Sequence, residues 1–344
     1  MALAGGTEIR GNVMKKTINL DRILCPVVPS LGIDEGLECA VALARAYGAK
    51  LFVCHFVEHA SMVTGNVRTG VEEALKRSVS RLLDSSACST DTPLLDWEII
   101  VAESLRPAEA MVQAAKDLNV DLIAMSSRRR PYAAALLGST VETVSRTAPC
   151  PVLVTRVAGG RSGSLSRGIS FKRLLIANDF SPDSELALQY GLSLAQEYQS
   201  DLHLLHVMND SPTGGAEVSW NSLDPEGPYH EAARRLHQSV PSEAHLWCNV
   251  THAVREGKPH HEIFSYAVEH DIDLICIGAH DNEFKLGTLF GSTADRIWRQ
   301  SPCPVLVVRS LKHGGNGLNH AEVKVAQYER IYSENRLPSL PRPL

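Results

Sequence analysis

The chain has 344 residues, is 44% hydrophobic and 21% charged, and carries a net charge of −5. At ~100–200 residues per domain this length predicts two domains of ordinary globular composition. The acidic balance speaks against a dedicated nucleic-acid binder, and no run approaches the ~20 apolar residues of a membrane span.

The first residues, "MALAGGTEIRGNVMKKTINLDR", lack the apolar core of a signal peptide, so a cytoplasmic protein is expected, with residues 1–18 as an N-terminal extension. In chain order, "RILCPVV" reads as a short apolar strand and residues 36–49 as a helix with apolar residues at helical spacing. "AKLFVCHFV" returns to strand. A polar segment and a helix follow, then a strand in "LLDWEIIVA", a helix in "PAEAMVQAAKDL", a strand in "VDLIAMSS", a helix, and a last strand in "PVLVTR". "VAGGRSGSLSRGIS" is rich in Gly and Ser and reads as a linker over residues 157–170.

The order then repeats: "RLLIAND", a helix over residues 184–199, "SDLHLLHVM", a polar segment and helix, a strand in "HLWCNVTHAV", a helix in "HHEIFSYAVEH", then "IDLICIGA", a helix and "PVLVVR". A constant offset of 151 (172 − 21) aligns the two starts without a gap, pairing Ser30 with Ser181, Tyr47 with Tyr198 and His55 with His206. Residues 311–344 are polar and proline-ended and read as a loosely docked tail, with at most a short helix in "HAEVKVAQYERIYSEN". Apolar strands alternating with helices predict a parallel sheet covered on both faces. Of eight cysteines none forms a CxxC pair; Cys25, Cys54, Cys150, Cys276 and Cys303 lie in apolar runs and read as buried reduced thiols.

Taken together, "LLIANDFS" with its Asp, "DLICIGAH", the spaced Gly-Ser and the twin "PCPVLV" resemble the universal stress protein family, and the whole chain resembles its tandem two-domain members. The resemblance covers about residues 19–156 and 171–310. It implies an α/β fold of two tandem doubly wound domains, each with a five-stranded parallel sheet, Rossmann-like and similar to the adenine nucleotide alpha hydrolases. It also implies an internal pseudo-dimer through residues 151–155 and 304–308, with a homodimer of chains as a further option, and a role in the stress response.

Some members of that family bind ATP through G-x2-G-x9-G-(S/T). Glycines let backbone N–H groups approach phosphate, and a helix N-terminus favours the anion. Carried over, the nucleotide-binding residues of the second copy are Ala177, Asp179, Val207, Ile277, Gly278, His280, Gly291, Ser292 and Thr293. Asp179 would accept from the adenine amino group, and Val207, following the second strand, would offer backbone to adenine. Asp281 stands where the family has its second Gly. It repels a triphosphate, points to solvent, or holds Mg²⁺ against the phosphates. A plainer reading gives the glycines to backbone turns and Asp179 to capping the next helix. The first copy departs further: Val28 replaces the Asp, Ser126 and Arg129 replace the front glycines, and the loop to Gly138-Ser139 is one residue shorter. No ATP is expected there. Arg128, Arg129 and Arg130 make either a solvated basic turn or a grip for another anion.

Adjacent His260 and His261 point to different helix faces and make a poor metal pair, and no metal site is expected. His55 and His206 are either satisfied core histidines or polar strand ends facing the crevice. No nucleophile elbow, Walker A lysine or paired carboxylates stand out, so no catalytic residue is assigned. A binding and regulatory module is expected rather than an enzyme. Slow ATP hydrolysis and a nucleotide-free interaction scaffold are the alternatives.

Overall fold

The computed structural model describes residues 18–29, 34–57, 65–85, 94–127, 139–156, 169, 171–208, 227–279 and 292–309. The first half runs β1 (Arg22–Pro26), α1 (Glu35–Tyr47), β2 (Lys50–Val57), α2 (Gly65–Ser85), β3 (Trp97–Glu103), α3 (Pro107–Asp117), β4 (Leu122–Ser127), α4 (Ser139–Thr147) and β5 (Val152–Arg156). The second repeats it: β6 (Arg173–Ala177), α5 (Pro182–Tyr198), β7 (Asp201–Met208), α6 (Pro228–Ser239), β8 (Val250–Glu256), α7 (Pro259–Glu269), β9 (Leu274–Gly278), α8 (Ser292–Gln300) and β10 (Val305–Val308). The tail after residue 309 and the linker residues 157–168 lie outside the described residues.

The strands form one ten-stranded sheet in the order β3-β2-β1-β4-β5-β10-β9-β6-β7-β8. Within each half every pairing is parallel, because each strand is followed by a helix that returns the chain to the same edge. The halves join by the antiparallel pair β5–β10, with Val305 opposite Val154, Leu306 opposite Leu153 and Val307 opposite Val152. The expected pseudo-dimer is therefore a continuous sheet.

Two apolar cores cover the two faces, and each runs across the seam. One holds Leu43, Ala44, Leu153, Leu306, Leu192 and Ala195 under α1 and α5. The other holds Val141, Val144, Val152, Val305, Ile297 and Trp298 under α4 and α8. Polar contacts pin the rims: Tyr47 Oη lies 2.9 Å from Ser193 Oγ, Arg299 Nη2 3.2 Å from Glu142 Oε2, and Arg309 Nη2 donates to Ala148 O at 3.2 Å. Cys25, Cys39, Cys54 and Cys276 are buried in the strands and helices, and burial holds their thiols well above the ordinary range.

Three local readings need correction. The strand expected over 245–254 starts only at Val250, because residues Ser242–Leu246 wind into a 3₁₀ turn after Pro241. Val207 does not follow β7 but lies inside it, opposite Arg255. The gapless 151 offset also conceals a compensation. α1 and α5 end together at left-handed caps, Gly48 and Gln199, yet α1 has 13 residues and α5 has 17. The loop entering α1 is longer by the same four residues that the helix loses.

Because Leu306 is 3% exposed at the seam, Leu306→Ala should cost about 2–5 kcal/mol. Leu105→Ala, at a position 81% exposed, should stay within ~0.5 kcal/mol. Urea-unfolding midpoints of the two variants check this.

Candidate functional site

In each half the chain leaves the first and fourth strands, which are neighbours, for opposite faces of the sheet. In the second half these are β6 and β9. α5 follows β6 and packs in one core; α8 follows β9 and packs in the other. The carboxyl ends of two such strands open a crevice at the switch point, where open α/β sheets bind ligands. β6 ends at Ala177 and β9 at Gly278, so the structure brings Ala177, Asp179, Ile277 and Gly278 to this place. β7, next to β6, carries Val207 near its own carboxyl end. Ser292 and Thr293 open α8, whose start follows from β9. His280, Asp281 and Gly291 lie outside the described residues.

The turn between β6 and α5 is four residues long and densely bonded. Asn178 is buried; its Oδ1 accepts from Phe180 N at 2.7 Å and from Ser184 Oγ at 3.2 Å. Its carbonyl accepts from His206 Nδ1 at 2.8 Å. Asp179 Oδ1 accepts from Ser181 N at 3.0 Å, and the carboxylate faces solvent. Burial alone would raise the Asp179 pKa, but hydrogen bonds from Ser181 and Ser184 outweigh it and hold the group below its usual value. The helix cap is Ser181, whose Oγ accepts from Ser184 N at 3.2 Å. Asp179 therefore shapes the turn without capping α5, and its side chain remains exposed.

Phe180 has φ of 62°, a left-handed conformation unusual for a bulky residue. Such a residue costs of the order of 1–3 kcal/mol and persists only where neighbours over-determine it. Here His206 packs against the ring at 4.5 Å between centroids, and the Arg235 guanidinium lies 4.0 Å from its centre.

Gly278 has a steric reason. A Cβ there would lie 2.5 Å from Asp183 C and Ser184 N, in the first turn of α5. The first half solves the same approach the other way round. Ser126 ends up opposite Gly36, and a Cβ on Gly36 would lie 2.7 Å from Ser126 N. Gly36 and Asp183 are both the second residue of their helices. The glycine has thus moved from strand end to helix, and Ser126 uses the room. Its Oγ donates to Asp34 Oδ1 at 2.6 Å, accepts from Gly36 N at 2.8 Å, and lies 3.2 Å from Thr155 Oγ1. Asp34 also caps α1 through Leu37 N at 3.1 Å. The inner carboxylate of this half is spent on its own serine and cap, and Val28, 49% exposed, offers no polar group. Arg128, Arg129 and Arg130 lie outside the described residues.

Both strand histidines turn out to be satisfied by backbone. His55 Nδ1 lies 2.8 Å from Val27 O, as His206 Nδ1 does from Asn178 O. They tie the turn after the first strand to the second strand, a role that spacing alone did not disclose. His260 and His261 stand with rings 5.1 Å apart at 71°, and Arg296 Nη1 donates to His260 Nε2 at 3.0 Å. Among the described residues no three His, Cys, Asp or Glu side chains are placed to hold a metal ion.

Two half-sheets, each carrying a switch-point crevice and joined through their last strands, define a tandem α/β protein of the nucleotide-binding type of fold. The family model described as "Universal stress protein family" matches residues 19–156 and 170–309, and the chain belongs to that family. Universal stress protein Rv2624c of Mycobacterium tuberculosis is 25% identical over 267 residues, 70% of this chain and 89% of that protein. Universal stress protein MJ0531 of Methanocaldococcus jannaschii is 30% identical over 145 residues, 41% of this chain and 84% of that one. A solved universal stress protein from Archaeoglobus fulgidus shares the fold over 84% of this chain and 98% of its own, with a TM-score of 0.60 and 21% identity.

Gly278→Ala and Gly36→Ala should each destabilise by about 1–3 kcal/mol, because each forces a Cβ against backbone. Ser126→Gly should cost about as much by leaving Asp34 and Gly36 N without their hydroxyl partner. Thermal unfolding of the three variants measures all of it.

Proposed function

We propose that this chain is a cytoplasmic stress-response module that binds an adenine nucleotide in the crevice of its second domain alone, and binds without turning it over. The observation that carries this reading is the contrast between the two switch points. In the second, Asp179 is ionised, exposed and held in place by Ser181. In the first, Asp34 is consumed by Ser126 and the helix cap, and Val28 replaces the reader of adenine. The glycine at 278 supports the reading less than its position in the motif suggests, since packing against α5 already requires it. Asp281, as a contact for Mg²⁺ between protein and phosphates, is carried by the sequence alone.

No helix among the described residues is long and apolar enough to cross a membrane. The described crevice residues include an exposed carboxylate and hydroxyls but no arrangement of base and nucleophile.

Calorimetry with Mg-ATP on the full chain tests this. Wild type should bind, and Asp179→Ala should weaken binding about ten- to hundredfold, the loss of a hydrogen bond to a charged group. Phosphate release should stay at background in both. No heat at millimolar nucleotide ends the reading, and release that disappears in Asp179→Ala turns it into an ATPase.

A further inference from the structure

The outer edge of the second domain carries a group of histidines that the crevice does not use. His237 on α6, His245 in the 3₁₀ turn and His252 on β8 come together on the α5–α6 face of the sheet. Ring centroids are 5.1 Å apart for His237 and His252, 6.1 Å for His237 and His245, and 6.4 Å for His245 and His252. His237 and His252 are stacked, with 12° between their planes, so their nitrogens do not aim at one point. His252 Nε2 is buried and has no hydrogen-bond partner among the described residues. In the sheet register His252 stands opposite Leu204, as Ile99 stands opposite Val53 in the first half. A half-buried isoleucine of one copy is thus a half-buried histidine in the other, with the exposed His237 and His245 on its outer side.

The charged groups around the cluster are engaged elsewhere. On α6, Glu231 pairs with Arg234, and Arg235 lies over Phe180. In the 3₁₀ turn, Glu243 accepts from Ser242 Oγ at 3.4 Å. At the start of β7, Asp201 Oδ1 accepts from Asn249 Nδ2 at 2.8 Å. On β8, Arg255 is held by Glu269 and Glu262. Glu256 closes β8 four residues beyond His252, and Cys248, Tyr229 and His230 are further titratable groups of these segments. The charges that act on His252 are those of His237 and His245, both of its own sign.

We propose that His237, His245 and His252 form an acid-sensitive latch: neutral, they pack α6 and the 3₁₀ turn onto β8; protonated, they repel, loosen α6, and release Arg235 from Phe180 and with it the Asp179 turn. The path is continuous. Arg235 is two residues before His237 on the same helix, it covers the Phe180 ring, and Phe180 sits between Asp179 and the cap Ser181 in a strained conformation that needs such neighbours. Burial first, then His237 and His245, push the His252 pKa down from its ordinary value of 6.5. The sign follows: folding favours the neutral ring, so the stabilisation is fully present above about pH 6.5 and is lost as the pH falls below it.

The latch is read on the ligand-free full chain by amide hydrogen exchange, corrected for the intrinsic effect of pH. Between about pH 7.5 and 5.5, exchange in α6 and in the peptide spanning Asp179 to Ser181 should accelerate together, by up to about tenfold per pH unit for the one proton taken up at His252. Helices α3 and α4 of the first domain, which carry no histidine, should not respond. His252→Ile, which copies Ile99, should remove much of the acceleration. Equal acceleration in wild type and variant overturns the proposal, as does loosening of α6 without the Asp179 turn. A wild-type ring titration by NMR guards against a misfolded variant: a His252 that titrates at the ordinary histidine value also overturns it. The consequence for ligand affinity rests on the adenine-nucleotide reading above, whereas the exchange result needs no nucleotide, so failure of one is distinguishable from failure of the other.

Discussion

The antiparallel pairing of β5 with β10 is the constraint on which the rest of the molecule depends. A five-stranded parallel sheet that ended at β5 would present a row of unpaired backbone groups on Val152, Leu153 and Val154. Such an edge invites pairing with another chain. Here the second copy supplies the partner, and the two edges cancel. The pairing also merges each face of the two sheets into a single core, so that Leu153 and Leu306 on one face, and Val152 and Val305 on the other, are buried by both halves at once. Covalent linkage makes that encounter intramolecular, which raises the effective concentration of the partner edge far above that of a free chain.

Once joined, the two copies no longer need two equal sites. The seam depends on the last strands, not on the crevices at the carboxyl ends of the first and fourth. The crevice of the first half was therefore free to change, and the change is structural, not a simple loss. Moving the glycine from the strand end to the helix let Ser126 enter the gap and bond Asp34, Gly36 and Thr155. A hydrogen-bonded plug now occupies that corner, and it fastens the start of α1 to the end of β4. The second half has no such serine, and its Asp179 side chain stays exposed.

Much of this organisation was legible in the sequence. The repeat and the alternation of strand and helix follow from apolar runs whose spacing is nearly the same in both copies, and the family resemblance implied the pairing of the last strands. What stayed hidden was compensating change. α1 starts four residues later than α5 while the offset of 151 stays intact, so a gapless alignment sets Gly36 beside Ala187, although the helix residue packed on the end of the fourth strand is Gly36 in one half and Asp183 in the other. The strand misread at 245–254 has a similar origin: Leu246 and Trp247 are apolar, but the 3₁₀ turn leaves Leu246 outside, and the strand waits for Val250. Within the site, Asp179 was legible because it follows the apolar run "LLIA" at the position the family resemblance assigns, but the steric demand on Gly278 was not, since it comes from a helix turn about a hundred residues earlier in the chain.

The duplication also explains where the polar residues of the second half are placed. His203 on β7 lies 2.9 Å from Tyr266 Oη, and its ring is 5.4 Å from His270, whereas the first half has Phe52, Ala114 and Leu118 at the aligned positions. His252 replaces Ile99 on the opposite face. Imidazoles at core-facing positions give up apolar burial and leave buried nitrogens in need of partners, as His252 Nε2 illustrates. A copy under no demand but stability would keep the apolar set, which its twin demonstrates is compatible with the same backbone. The polar substitutions lie on the β7–β8 side of the sheet, away from the seam and close to the turn that carries Asp179. The half with the exposed Asp179 is therefore also the half that carries the histidines able to respond to acid, while the half with the Ser126–Asp34 bond keeps the apolar set.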